Sequence, residues 1–220
     1  MSKRQPDWKM GGITNPALEE YLYQLSPESS DALREMERVA AERHIQIIGP
    51  LVGRFLCQLA TLAQAKTVFE MGSAIGYSTI WWAMAVGEGG RVIYTDGDRR
   101  KADEARRYFE RAGVAGRIEI RTGDALEILS EERKQFDIVF IDIDKSDYPR
   151  AFRMGSSRVR SGGLLVADNA LWSAKVVDPA FAKDPSTQGV LEFNRALYSS
   201  PDFFSTILPL RDGVAVALKK

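Results

Sequence analysis

The sequence predicts an α/β fold: a seven-stranded, mostly parallel sheet with helices on both faces and an antiparallel strand pair at the C-terminal end. Three observations predict it. From Lys66 to Ala167, short apolar runs of strand length alternate with helix-length segments, the rhythm of a parallel sheet covered on both sides. Two of those runs, Phe136 to Ile141 and Leu164 to Ala167, close on polar groups, Asp142-Ile143-Asp144-Lys145 and Asp168-Asn169. The tail then breaks the rhythm, with Phe203 to Leu208 and Val214 to Leu218 separated by Pro209 and Asp212-Gly213, which reads as an antiparallel pair at the sheet edge.

Each element has its own signal. Met1 to Gly12 is polar, carries Gly11-Gly12 and reads as a loose arm. Ser26-Pro27-Glu28 reads as a helix start, a serine cap followed by a proline whose missing N–H costs nothing there. Leu33, Met36 and Ala40 then recur at helical spacing, predicting a helix to about His44. His44, the single histidine, reads as a C-terminal cap. Gly49-Pro50 precedes a second apolar helix from Leu51 to about Leu62.

The core of the fold follows. Strands are predicted at Thr67 to Met71, Arg91 to Thr95, Arg117 to Arg121, Phe136 to Ile141 and Leu164 to Ala167. The helices between them are Tyr77 to Val86, Arg99 to Ala112, Asp124 to about Leu129, and about Tyr148 to Val159, with another near Gly189 to Tyr198 before the tail. Trp81 and Trp82 fall inside the first sheet helix, so at least one belongs to the core. The chain reads as one domain over 1–220, an N-terminal arm with helices over 1–65 and a cofactor-binding core over 66–220.

Composition narrows the function. Thirty basic and thirty acidic residues cancel, so the whole-chain field does not favour polyanions. The basic spots around Arg99-Arg100-Lys101 and Arg106-Arg107 are interleaved with acids and read as a solvated helix face. One cysteine, Cys57, rules out an intrachain disulfide, and the expected compartment is the cytoplasm. No apolar run approaches the ~20 residues that span a bilayer, and the N-terminal residues carry no secretory pattern.

Side chains at the carboxyl ends of neighbouring parallel strands converge on the crevice where open α/β sheets bind ligands. Asp142, Asp144 and Asp168 would crowd carboxylates there, and at ~4 Å with an effective dielectric of ~20 each like-charge pair costs on the order of 4 kcal/mol. A hard divalent cation turns that repulsion into attraction, with the Asn169 amide as a further oxygen ligand and Lys145 beside it. Asp144 reads as a residue that orients Lys145. Upstream, Glu70-Met71-Gly72-Ser73-Ala74-Ile75-Gly76-Tyr77-Ser78 is a glycine turn opening a helix, and Asp96 closes the second strand, where an acid commonly accepts hydrogen bonds from ribose. Ala74 and Tyr77 stand where a dinucleotide fingerprint requires glycine, which disfavours a nicotinamide enzyme. A ribose-bearing cofactor without phosphate needs neither glycine.

These motifs together, with Gly123-Asp124-Ala125 and Asp168-Asn169-Ala170-Leu171-Trp172, resemble the cation-dependent class I O-methyltransferases that include catechol and caffeoyl-coenzyme A enzymes. The resemblance runs from about Ile45 through Phe193-Asn194 to Asp212-Gly213. It implies a Rossmann-like fold, S-adenosylmethionine as methyl donor and a divalent cation, Mg²⁺ before Mn²⁺ or Ca²⁺. It implies that Ile48, Glu70, Gly72, Ser78, Asp96, Gly123, Asp124, Ala125 and Asp142 form the cofactor site. Asp142, Asp168 and Asn169 would be the metal ligands and Lys145 the catalytic base, its pKa lowered by the nearby cation. Trp172 and Asn194 fall on the acceptor side, Trp172 as an aromatic platform. The acceptor would be a small phenolic compound of catechol-like or hydroxycinnamoyl type, and the protein a homodimer. Trp172 to Gln188 is the family's variable substrate loop. The alternatives are a hydroxylated tRNA nucleoside as acceptor, which the balanced charge disfavours, and a noncatalytic cofactor-binding protein of the same fold.

Overall fold

Alternation along the strands decides the layers, because successive side chains of a strand point to opposite faces. A computed structural model describes residues 13–220; the predicted arm over 1–12 lies outside the described residues. Strands β1 (Thr67–Met71), β2 (Arg91–Asp96), β3 (Ile118–Thr122), β4 (Phe136–Ile141), β5 (Val159–Ala167), β6 (Phe203–Leu208) and β7 (Val214–Lys219) form one seven-stranded sheet in the order β3-β2-β1-β4-β5-β7-β6. β1 to β5 are parallel, while β7 inserts antiparallel between β5 and β6.

On one face Val68, Tyr94, Ile138, Phe140 and Val166 pack against helices α2 (Asp31–Arg43), α3 (Gly49–Leu62), α4 (Tyr77–Val86) and α5 (Arg99–Arg111). On the other, Phe69, Met71, Ile93, Val139 and Leu165 pack against α6 (Ala125–Glu131), α7 (Tyr148–Arg158) and α8 (Pro185–Ser199). Trp81 and Trp82 both join the first of these cores. The predicted fold class is therefore the observed one. Among the described residues no helix is long and apolar enough to cross a membrane.

The N-terminal helices differ from the prediction. A helix α1 spans Pro16–Leu25, capped by Asn15, whose side chain accepts the Ala17 N–H at 2.9 Å. Ser26 ends that helix instead of starting one, with its N–H on the Tyr23 carbonyl at 3.2 Å and its hydroxyl on that of Leu22 at 3.0 Å. Ser30 is the cap residue of α2. Both Asn15-Pro16 and Ser26-Pro27 carry the same start signal, and only the first starts a helix. His44 does end α2, in the left-handed conformation, its N–H bonded to the Ala40 carbonyl. β5 begins five residues before the predicted Leu164, at Val159; its pairing with β4 shifts register between Phe136 and Ile138.

Candidate active site

Three neighbouring strands end level with one another. Met71 pairs with Ile141, and Ile141 with Ala167, so Gly72, Asp142 and Asp168 leave the sheet side by side. The ladder continues one step further, with the Asp142 N–H donating to Met71 at 2.9 Å and the Asp168 N–H to Ile141 at 3.2 Å. Gly72 permits this closeness. Its φ is +80°, and a Cβ there would lie 2.1 Å from the Asp142 carbonyl oxygen, so any side chain would force the two strand ends apart. The strand order reverses between β1 and β4, where open α/β sheets form their ligand crevice.

Two cavities open along this line. The larger, about 710 Å³, runs over the ends of β1 to β3, between Gly72, Ala74, Asp96 and Gly123–Leu126 on one side and His44, Ile45 and Gln46 on the other. The smaller, about 360 Å³, lies towards β5 and is lined by Asp168, Asn169, Trp172, Lys175, Arg211 and Asp212 among others. Gln46, Asp142, Ile143, Asp144 and Lys145 belong to both walls.

In the larger cavity the glycine turn is held by its own acid. Asp96 accepts the Ala74 N–H at 2.9 Å on one oxygen and the Asp98 N–H at 2.8 Å on the other. The Tyr94 hydroxyl donates to the Ala74 carbonyl at 2.6 Å. Each carboxylate oxygen has a second lone pair, so Asp96 keeps acceptor capacity for hydroxyls. Asp124 caps α6 through the Leu126 and Glu127 N–H groups at 2.8 and 2.9 Å.

Of the residues expected at the cofactor, Gly72, Asp96, Gly123, Asp124, Ala125 and Asp142 line this cavity. Glu70 and Ser78 sit beneath it. Glu70 is wholly buried and accepts the Ser73 hydroxyl at 2.7 Å and that of Thr79. Burial pushes its pKa up to about 7 against the pull of hydrogen bonds from Ser78, Thr79 and Ser73. Ile48 lines neither cavity; it packs in the core at the start of α3, and the wall there is Ile45, Gln46 and Ile47.

In the smaller cavity Lys145 Nζ donates to Asp142 Oδ1 at 2.9 Å and to the Ile143 carbonyl at 3.1 Å. Those two oxygens, not Asp144, orient it. Burial pulls the ammonium pKa down, yet the Asp142 carboxylate and Tyr148 outweigh burial and hold it well above the ordinary lysine range. Where only the protein's own charges act, the Asp142 carboxylate directed at it keeps Lys145 protonated; the expected lowering belongs to a site with a cation bound.

Asp168 is 1% exposed, with Oδ2 3.2 Å from the buried Arg211 guanidinium. Its Oδ1 is buried with no hydrogen-bond partner among the described residues. Burial raises the Asp168 pKa against the opposing Arg211 charge. Asn169, at φ +53°, donates its amide nitrogen to Asp212 Oδ2 at 3.0 Å, so the amide oxygen is the end left for a ligand. Among the described residues no three carboxylate, imidazole or thiolate side chains cluster as a metal set; the candidate set is two carboxylates and one amide.

The loop after Asn169 is strained. Trp172, Ser173 and Ala174 all have positive φ, a conformation that costs ~1–3 kcal/mol per non-glycine residue and persists only where the surroundings impose it. Asp212 imposes it. Its side chain accepts the Ser173 N–H as well as the Asn169 amide, and its carbonyl accepts the Leu171 N–H at 3.0 Å. Asn194, expected on the acceptor side, lines neither cavity; it supports this loop from behind through the Ala170 carbonyl at 2.8 Å. Trp172 does line the smaller cavity, its ring centroid 5.6 Å from Lys145 Nζ.

The sequence profile of the O-methyltransferase family matches residues 23–220. The chain belongs to that family. It is 36% identical to the catechol O-methyltransferase of Niastella koreensis over 93% of this chain and 97% of that protein. It is 31% identical to caffeoyl-CoA O-methyltransferase 5 of Nicotiana tabacum, covering 93% of this chain and 91% of the other. Among solved structures, the O-methyltransferase of Bacillus cereus in complex with SAH superposes with a TM-score of 0.84 at 31% identity, over 93% and 97% of the two chains. TomG of Streptomyces achromogenes, solved with SAM, gives 0.85 at 30%, over 93% and 96%.

Sequence reasoning assigned no role to several residues of this O-methyltransferase. Arg211 and Asp212 come from the β6–β7 turn, and Asp212-Gly213 carried a turn signal and the closing end of the resemblance, but no role in the site. Gly189 of α8 is another: a Cβ there would sit 2.1 Å from the Lys145 carbonyl oxygen, so α8 can press on the lysine turn only through a glycine. No local pattern announces that contact.

Proposed function

We propose that this O-methyltransferase moves the methyl group of S-adenosylmethionine to a hydroxyl of a small aromatic ortho-diol of catechol-like or hydroxycinnamoyl type, with a divalent cation in the smaller cavity. One observation carries the reading: a donor-sized cavity and a smaller one share a wall at Asp142 and Lys145, so two reactants would meet there. The solved relatives with SAH and SAM support the donor, and the printed names of the relatives support the acceptor class.

The residues fit a cation. Asp168 Oδ1 is a buried, unpartnered anionic oxygen, a costly arrangement unless something positive meets it. Asp142 and the Asn169 oxygen complete an all-oxygen set suited to Mg²⁺, Mn²⁺ or Ca²⁺. A bound cation would lower the pKa of a chelated hydroxyl and fix its position. With a cation drawing on the Asp142 charge, Lys145 Nζ would give up its own proton and be free to take that of the attacking hydroxyl, and Trp172 offers a flat wall to the acceptor ring. Asp96 and Gly72 would hold the ribose and methionine side of the donor, aligning methyl and oxygen.

The test is a panel of phenols with methyl-labelled S-adenosylmethionine, run with and without EDTA. We expect methylation of ortho-diols alone, lost with chelator and restored by Mg²⁺. Turnover that ignores the chelator contradicts the metal role. Transfer only to tRNA, with steeply salt-dependent binding, contradicts the acceptor class.

A further inference from the structure

The smaller cavity holds three cations, and two of them are spent. Lys145 pairs with Asp142, and Arg211 pairs with Asp168. Lys175 lines the same cavity, and among the described residues it forms no ion pair with any carboxylate. Its ammonium instead lies 4.7 Å from the Trp172 ring centroid and 5.1 Å from that of Phe181. Asp184 registers the Lys175 charge without forming an ion pair with it, and its Oδ2 accepts the Thr187 N–H and hydroxyl at the start of α8.

Two aromatic faces hold a cation in place without neutralising it. The charge is thus positioned and still available to an anion. Trp172 also fixes its distance from the reacting end. Lys145 and Lys175 lie over the same ring, at 5.6 and 4.7 Å, so their ammonium groups are no more than about 10 Å apart. A hydroxyl and a carboxylate on one benzene ring lie closer together than that limit, so a single acceptor can reach both ammonium groups.

Resting on the function proposed above, we infer that Lys175 selects acceptors whose aromatic diol carries a carboxylate, so that the preferred acceptor is a dihydroxyaryl acid rather than a neutral catechol or a thioester. The carboxylate would meet Lys175 at the cavity mouth while the diol reaches Asp142, Asp168 and Lys145 at its base. Esterifying or thioesterifying the acid removes the charge that Lys175 receives.

The experiment compares 3,4-dihydroxybenzoate, its methyl ester and catechol as acceptors for the wild-type enzyme, Lys175→Met and Lys175→Arg. Methionine keeps the apolar stem against the two rings, and arginine keeps the charge. For the wild type we expect the acid to exceed the ester roughly tenfold in kcat/KM, mainly through KM. Lys175→Met should reduce that acid-to-ester ratio roughly fivefold to tenfold, and Lys175→Arg should restore most of it. The ratio between variants cancels the intrinsic difference in hydroxyl acidity between acid and ester. Catechol and ester turned over as well as the acid by the wild type would overturn the inference alone, as would an equal loss on acid and ester in Lys175→Met. Methylation of none of the three would overturn the proposed function, and the inference with it.

Discussion

The two cavities are built by different means, although they share a wall. The larger is assembled from strand ends and βα turns in sequence order: the Gly72 turn after β1, Asp96 at the end of β2, Gly123–Ala125 after β3. Backbone groups and their own acid hold it, as Asp96 holds Ala74. The smaller is assembled from segments far apart in the chain. Asn169 and Ser173 are fixed by Asp212 from the β6–β7 turn, Asp168 by Arg211, and the Lys145 turn lies against Gly189. A donor common to a family needs the first kind of site. An acceptor that differs between members is better served by the second, where a change in one surface segment reshapes the pocket and leaves the sheet alone.

Breaking each side separately sharpens that contrast. The largest effect is expected from Lys145→Ala on the shared wall: turnover should fall on the order of 10²–10⁴-fold, while the affinity for S-adenosylhomocysteine by calorimetry is retained. Surviving turnover would remove Lys145 as the base.

Asp212→Ala comes next. It removes the carboxylate that accepts the Ser173 N–H and the Asn169 amide, hydrogen bonds to a charged group worth ~1.5–3 kcal/mol each, and frees the left-handed loop. The acceptor KM should rise at least tenfold with donor affinity unchanged, and Asp212→Asn, which keeps one oxygen acceptor, should recover part of it. Equal loss of donor binding would show that the two sites are not built independently.

The smallest effect concerns Glu70 under the donor side. Its folded pKa is raised from 4.5 to about 7, so the folded state holds that proton more tightly than the unfolded chain does. Its stabilising contribution is fully present below about pH 4.5 and is lost as pH rises towards 7. Relative to Glu70→Gln, the wild type should therefore lose on the order of 3 kcal/mol of unfolding free energy across that window. Denaturant melts of both proteins in parallel check it, and a pH-independent difference contradicts the burial argument.

The same contrast explains what the sequence made legible. Apolar runs ending in Asp142 and Asp168 announced both strand ends, because strand and side chain are adjacent in sequence. The glycine turn and Asp96 were legible for the same reason. Asp212, Arg211 and Gly189 were not, since their roles exist only once β7 has inserted beside β5 and α8 has settled on the lysine turn. Asn194 carried the right neighbourhood but the wrong depth: it sits one layer behind the cavity on the Ala170 carbonyl. The Ser26-Pro27 start signal failed because capping chemistry is local and permissive: Asn15 and Ser30 stand at the N-caps of the helices on either side of it.

On this reading Asp142, Asp168 and Asn169 together bind one divalent cation in the smaller cavity. Titration of the protein with Mn²⁺, read by electron paramagnetic resonance in the presence of S-adenosylhomocysteine, tests it most directly. We expect one site per chain, abolished by Asp168→Ala and weakened by Asn169→Ala, with each variant still folded and still binding the cofactor product. Manganese that binds neither wild type nor variant, or binds all of them alike, would contradict it.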